Sequence, residues 1–176
     1  MKFRIRRAVL EDLESLTEIY NQAIVRGCCT CDTEVFTPDQ RQGWFEEHNN
    51  SRYPLFAVVS VGVGGDGVGD GELVVGYAYY SPYRVGRRAV EHVAEISYYL
   101  ANDIQGQGCG SFVMEFLLAN ASSLGFSELL TILLANNSAS IALLEKYGFE
   151  RWGCLPGIVH IGGERIDHLY YGRSLG

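Results

Sequence analysis

The stretch Gln105-Gly106-Gln107-Gly108-Cys109-Gly110-Ser111 is where residue types and spacing first point to chemistry. It follows Ile96-Ser97-Tyr98-Tyr99-Leu100, which has the composition of a strand, and precedes a run with helical apolar spacing. Glycine lets a backbone approach a ligand closely, and the first turn of a helix offers unpaired N–H groups carrying partial positive charge. A turn of this kind suits phosphate or pyrophosphate. It does not suit the dinucleotide fingerprint, which places G-x-G-x-x-G near an N-terminus with an acidic residue about 20 positions on. Here the order is Gln-x-x-Gly-x-Gly in mid-chain, and no such acidic position follows.

Two other patterns invite a chemical reading. The glycine-rich run at 62–71 lacks the G-K-[S/T] ending and the following helix of a phosphate loop, so it reads as the tip of a hairpin. Cys28-Cys29-Thr30-Cys31 contains a C-x-x-C spacing. A structural zinc site needs a second Cys or His pair, and a redox pair belongs at a helix N-terminus, whereas this cluster follows a helix. The cysteines therefore read as small side chains in a loop, and no metal is expected.

The elements that must position the glycine turn are legible around it. Lys2 to Arg6 alternates as a first strand, and Glu11 to Val25 is an amphipathic helix stopped by Gly27. Thr37, Pro38 and Gln40 form the start of a second helix with a capping box. Leu55 to Val61 and Glu72 to Tyr80 read as strands, and Ala89 to Ala101 as a long one. A helix spans about Gly110 to Ser123, and the apolar run Glu128 to Leu134 reads as a strand covered on both faces. Asn137 and Ser138 cap a last helix closed by Gly148, and Phe149 to Leu155 and Glu164 to Arg173 complete the pattern as two strands.

Composition bounds the function. With 14 Lys plus Arg against 21 Asp plus Glu, the formal net charge of −7 argues against nucleic acid or an acidic membrane as partner. Apolar residues at 47% and charged residues at 20% are those of an ordinary globular chain, and 176 residues fit one domain spanning 1–176. No apolar run reaches the length of a membrane span, and the basic N-terminus leads straight into acidic residues. An odd five cysteines fits a reducing compartment, so a cytoplasmic protein is expected.

Gln105-x-x-Gly108-x-Gly110 after a strand resembles the Q/R-x-x-G-x-G/A acetyl-CoA signature of the GNAT superfamily of N-acetyltransferases. Ile19-Tyr20-Asn21, the segment Thr30 to Glu34, Trp44-Phe45, Gly76-Tyr77-Ala78 and the segment Asn137 to Leu143 are similar to the phosphinothricin and methionine-sulfoximine N-acetyltransferase branch. The resemblance covers nearly the whole chain apart from the glycine-rich run and is clearest over 94–149.

That resemblance implies an α/β fold: a mixed, twisted sheet of about six to seven strands with splayed central strands, flanked by about four helices. It implies acetyl-CoA as co-substrate, with Tyr98, Tyr99 and Leu100 beside the pantetheine arm and the backbone of Tyr98 and Leu100 pairing with it. The amides of Gln105, Gly106, Gln107, Gly108, Cys109, Gly110 and Ser111 would hold the pyrophosphate. Asn137 would bond the cofactor, cap its helix, or do both. Glu95 takes the position of the base, needed because an amine is mostly protonated at pH 7; a solvated strand carboxylate is the alternative. Asp32, Glu34, Tyr83, Arg84, Ile96 and Ser97 would line the acceptor pocket, with Arg84, Arg87 and Arg88 able to pair with a carboxylate or phosphinate.

The chain also departs from the pattern. Leu144 stands where many superfamily members carry tyrosine and this branch often histidine, which leaves Tyr147, His160 or unassisted departure for the thiolate. Cys31 replaces an aromatic of the substrate loop, and Pro156 to His160 lacks the basic residues of the herbicide-acetylating pattern. The expected activity is therefore acetylation of the primary amine of some other small molecule, an amino acid or analogue of one. The alternatives are a protein N-terminal or lysine acetyltransferase, and a non-catalytic acyl-CoA-binding module. Homodimers are common in families resembling this one.

Overall fold

A computed structural model describes residues 2–61 and 72–176. The expected hairpin tip at 62–71 lies outside the described residues. Within them the strands are β1 (Lys2–Arg7), β2 (Leu55–Val61), β3 (Leu73–Pro82), β4 (Val93–Leu100), β5 (Glu128–Leu134), β6 (Glu150–Ile161) and β7 (Glu164–Ser174). The α-helices are α1 (Leu13–Arg26), α2 (Pro38–His48), α3 (Cys109–Ala121) and α4 (Ser138–Lys146).

The strands form one sheet in the order β1-β2-β3-β4-β5-β7-β6. Every neighbouring pair is antiparallel except β4 and β5, which run parallel because α3 carries the chain back to the starting end of the sheet. The helices bury one face each. Under α3 and α4, Tyr80, Ile96, Val113, Met114, Leu117, Leu129 and Leu144 build one core cluster. Under α1 and α2, Leu16, Ile19, Phe45, Leu55, Val59 and Tyr77 build another. Each fully buried aliphatic side chain of this kind stabilises the fold by about 1.5–3 kcal/mol.

Local signals explain where the elements stop. Gly27 takes φ 72° and ends α1 in the left-handed region. Thr37 accepts a hydrogen bond from the Gln40 amide at 3.4 Å while the Gln40 side chain accepts from the Thr37 amide at 2.8 Å, completing the capping box ahead of Pro38. Asn137 caps α4 by accepting from the Ser140 amide at 3.2 Å.

Two strand boundaries differ from the sequence expectation by more than two residues. The strand expected from Ala89 begins only at Val93, because Arg88–Val90 closes a 3-10 turn. Its partner β3 ends at Pro82, opposite Ala94, and proline has no amide to extend the ladder. The strand expected to end at Leu155 instead continues to Ile161. Pro156 and Gly157 read as a break, yet they sit in an irregular stretch of the β6–β7 ladder between Leu155 and Val159. The Gly157 amide there donates to Asp167 at 2.8 Å.

β1 is tied to the start of α1 by a bidentate ion pair, Arg6 to Asp12 at 2.7 and 2.8 Å, and Asp12 also accepts from the Val9 amide at 2.9 Å. Burial pushes the Asp12 carboxyl up, but the Arg6 hydrogen bonds, the Val9 amide and the Arg6 charge outweigh it, and the net shift is downward. A carboxyl lowered by folding contributes stability above its unfolded pKa, and that contribution disappears as pH falls through the folded value. Asp12→Ala is expected to destabilise the chain by about 1–3 kcal/mol near neutrality. Urea unfolding at pH 7 and at pH 3 checks this: the gap between variant and parent should shrink at the lower pH.

Candidate functional site

β4 and β5 pair only through Val93–Glu128, Ala94–Leu129 and Glu95–Leu130. Beyond that point each strand follows its other neighbour. β4 stays on β3 as far as Leu100 opposite Gly76, and β5 stays on β7 as far as Leu134 opposite His168. The two strands therefore part, and a cavity of about 310 Å³ fills the opening. Ser97, Tyr98, Tyr99 and Leu100 line it from one strand, and Thr131, Ile132 and Leu133 from the other. Close packing of β3 on β4 is maintained by Gly76, where a Cβ would lie 2.6 Å from the Leu100 side chain and 2.9 Å from the Tyr99 carbonyl.

The direction of the free backbone groups follows from strand alternation. The Ala101 amide donates to the Val75 carbonyl at 2.9 Å, so Ala101 faces β3 and so does Tyr99. Tyr98 and Leu100 are then turned the other way, into the opening. The Leu100 carbonyl accepts there from the Gln105 side chain at 3.3 Å.

At the mouth, α3 begins after Gly108, which takes φ 83° and serves as N-cap without a side-chain bond. The first intrahelical bond runs from the Phe112 amide to the Gly108 carbonyl at 3.1 Å, so the amides of Cys109, Gly110 and Ser111 precede the ladder. A Cβ on Gly106 or Gly108 would meet nothing within 4 Å, so the space in front of this turn is open. Lys146 of α4 donates to the Ser111 hydroxyl at 3.0 Å and adds a cation beside the helix start. Gln107 donates back to the Asp103 carbonyl at 2.6 Å, and the Cys109 side chain is buried in the core, so these two can offer the mouth only their amides.

Glu95 stands at the apex, in the last β4–β5 pair. Burial pushes its carboxyl up from the ordinary range, and the Arg84 charge pulls it partway back. Its side of β4 is continuous with Ser97 and with Tyr99, whose ring meets Tyr20 edge-on at 4.9 Å and stacks on Tyr77 at 5.2 Å. Ile96 faces the other way and is fully buried under α3, so its side chain takes no part on the Glu95 face.

The remaining acceptor-side residues are dispersed. Asp32 and Glu34 are exposed, and Asp32 accepts from the Tyr20 hydroxyl at 2.5 Å. Tyr83 and Arg84 line a separate cleft with Arg52 and Glu91. Cys31 lies 3.8 Å from His168 on β7, which ties the loop expected to face the acceptor to the strand beside β5. Among the described residues no group of three or more His, Cys, Asp or Glu side chains is placed to hold a metal ion.

Several contributors escaped sequence reasoning because only folding brings them in. Arg26 and Cys29, from the end of α1 and the loop after it, line the opening, as do Ser140 and Leu143 of α4, beside the Leu144 already singled out. Arg41 lies buried with its guanidinium 4.3 Å from the Tyr20 ring centre and 3.9 Å from that of Trp44, behind the acceptor face. Tyr147 bonds Glu115 at 2.7 Å and His160 pairs with Arg165 across β6 and β7, so neither donor expected to replace Leu144 reaches the cavity.

Residues 2–150 match the family model described as an acetyltransferase (GNAT) domain. YwnH of Bacillus subtilis is 34% identical over 171 residues, 97% of this chain and 98% of its own. The L-methionine sulfoximine/L-methionine sulfone acetyltransferase of Pseudomonas aeruginosa is 29% identical over 99% of this chain and 96% of its own. A crystal structure of a GNAT superfamily phosphinothricin acetyltransferase from Sinorhizobium meliloti in complex with AcCoA superposes with a TM-score of 0.88, at 28% identity, over 100% of this chain and 90% of that one.

Proposed function

We infer the function from what the chain is: it belongs to the acetyltransferase (GNAT) domain family, and it is an acetyl-CoA-dependent N-acetyltransferase. The acceptor we propose is the primary amine of a small amino acid or amino-acid analogue. The observation that carries the reading is the parting of β4 from β5 past Glu95, with free helix amides at its mouth. A flat, fully paired sheet would have nowhere to take an extended, amide-bearing arm.

The residues fit that arm. Tyr98 and Leu100 turn backbone groups into the opening and pair with the arm as an added strand, once Gln105 releases the Leu100 carbonyl. The amides from Gly106 to Ser111 cradle the pyrophosphate at the positive end of α3, helped by Lys146. Asn137 lines the cavity with an amide side chain whose oxygen caps α4 and whose nitrogen is left to reach the arm. Bound acetyl-CoA supplies an activated acyl group with a thiol leaving group.

Glu95 is the base. Its raised carboxyl is better matched to accepting a proton from an ammonium than an exposed carboxylate, and it stands in the last β4–β5 pair, on the same face of the strand as Ser97, which lines the opening. The backbone amide near Tyr98 faces the thioester oxygen as it gains charge. Arg84 lines a neighbouring cleft yet lies close enough to pull the Glu95 carboxyl down, and it is the cation we assign to an anionic group on the acceptor. The support for an amino-acid-like acceptor is this pairing of base and cation, together with the amino-acid analogues named for the relatives.

Free-thiol release over a panel of amines, including methionine sulfoximine, methionine sulfone, phosphinothricin and a lysine peptide, tests the acceptor. Fastest turnover of an amino-acid-like amine is expected, and a preference for the peptide would replace this reading. Glu95→Gln should lower kcat about 10²-fold or more and leave the acetyl-CoA dissociation constant nearly unchanged by calorimetry. A base acts only when ionised, so its raised pKa places the acid limb of kcat/KM above the ordinary glutamate value of about 4.3. Arg84→Ala removes the charge that lowers it and should move that limb to still higher pH. Gly108→Val should abolish acetyl-CoA binding, because it strains φ 83° and fills the open space at the mouth. Gly125→Val, equally strained at φ 84° but in the turn before β5, should bind normally.

A further inference from the structure

The opening between β4 and β5 holds an acid that the family position does not supply. Leu144 lines the cavity and carries no transferable proton. Across from it, the Tyr98 hydroxyl points from β4 toward α4 and donates to the Ser140 hydroxyl at 3.2 Å. Both residues line the same cavity. We propose that Tyr98, aimed by Ser140, is the proton donor to the departing CoA sulfur. This rests on the acetyltransferase reading above.

The arrangement is set by strand alternation. Glu95 and Tyr98 are of opposite parity on β4, so their side chains leave the strand on opposite faces, with Tyr98 lining the opening. The acceptor arrives on the Glu95 face, and the sulfur leaves on the Tyr98 face. The other proton-bearing groups of the cavity are less suited. Tyr99 is turned away among Tyr20 and Tyr77. Cys29 contacts Arg26, which also bonds Asn102 beyond the end of β4, so that pair belongs to the mouth. Serine and threonine hydroxyls are too weakly acidic to serve. Burial pushes the Tyr98 hydroxyl up, opposed by its bond to Ser140 and reinforced by Cys29, so it stays protonated across the working range.

The step balances. The acceptor enters as an ammonium and loses one proton through Glu95 to solvent. Its nitrogen lone pair forms the C–N bond to the acetyl carbon. A second N–H proton passes to Glu95, the C–S bond breaks with its electron pair on sulfur, the Ser140 hydroxyl turns to donate to the Tyr98 oxygen, and the freed Tyr98 O–H proton moves to sulfur to give the thiol. The proton on Glu95 then returns through water to the tyrosinate, leaving one proton released per turnover.

The test uses the full chain and its Tyr98→Phe and Ser140→Ala variants, with the fastest amine from the panel. For Tyr98→Phe we expect kcat to fall about tenfold or more while acetyl-CoA affinity by calorimetry stays within about twofold. Ser140→Ala, which leaves the phenol but loses its aim, should fall by less. A second readout needs no turnover: a hydroxyl donating to sulfur stabilises the thiolate, so CoA bound to the parent chain should titrate at lower pH by thiolate absorbance than CoA bound to Tyr98→Phe. Unchanged kcat, an unchanged thiol titration, or a loss confined to affinity would each overturn the assignment. If the parent chain neither binds acetyl-CoA nor turns over, the acetyltransferase reading fails first and takes this inference with it.

Discussion

The structure turns on a single interrupted ladder. β4 is paired with β3 from Ala94 to Leu100, and β5 along its whole length with β7, but the two are paired with each other only as far as Glu95 and Leu130. A parallel pair buried between helix layers ordinarily runs on, because unpaired backbone groups are costly away from water. Here the pairing stops halfway, and backbone groups of Tyr98 and Leu100 are left facing the opening. The Gln105 side chain meets one of them in the meantime.

Such a gap needs rigid walls. The core under α3 and α4 fixes β4 through Ala94 and Ile96 and fixes β5 through Leu129 and Leu133. On the other face, stacked aromatics hold the upper part of β4 against α1 and α2: Tyr99 on Tyr77, Tyr20 against Tyr99, and Trp44 against Tyr77 and Tyr79. Arg41 lies under this cluster with ring faces of Tyr20 and Trp44 around its charge, where the rings offset part of the penalty for burying a cation. The result is a slot whose two sides cannot close by sliding, so an inserted chain finds its hydrogen-bonding partners already oriented.

The same geometry separates the chemical tasks. The free amides at the start of α3 lie at the open end, the Glu95 carboxyl at the closed end, and the Tyr98 hydroxyl between them on the opposite face of the strand. Alternation along one strand therefore keeps the proposed base and the proposed acid apart.

Much of this was legible in the residues. The strand–turn–helix around Gly108, the capping box at Thr37, the Asn137 cap and the order of elements all rest on local rules, in which a few neighbouring side chains decide the backbone. So does the placing of Glu95, Ser97 and Tyr99 on one face. Boundaries were less legible where two strands had to agree: β4 starts late because its partner ends at Pro82, and β6 runs through Pro156 because β7 carries it past the irregular stretch. The composition of the slot was not legible at all. Nothing in the spacing of Arg26, Cys29, Ser140 and Lys146 assigns them to the slot, and they meet the glycine turn and Tyr98 only when α1 and α4 pack onto the sheet. Residue spacing determines what a single element presents, because its period is built into the backbone. Where two elements stop touching depends on every other contact they make, so the tertiary structure alone decided it.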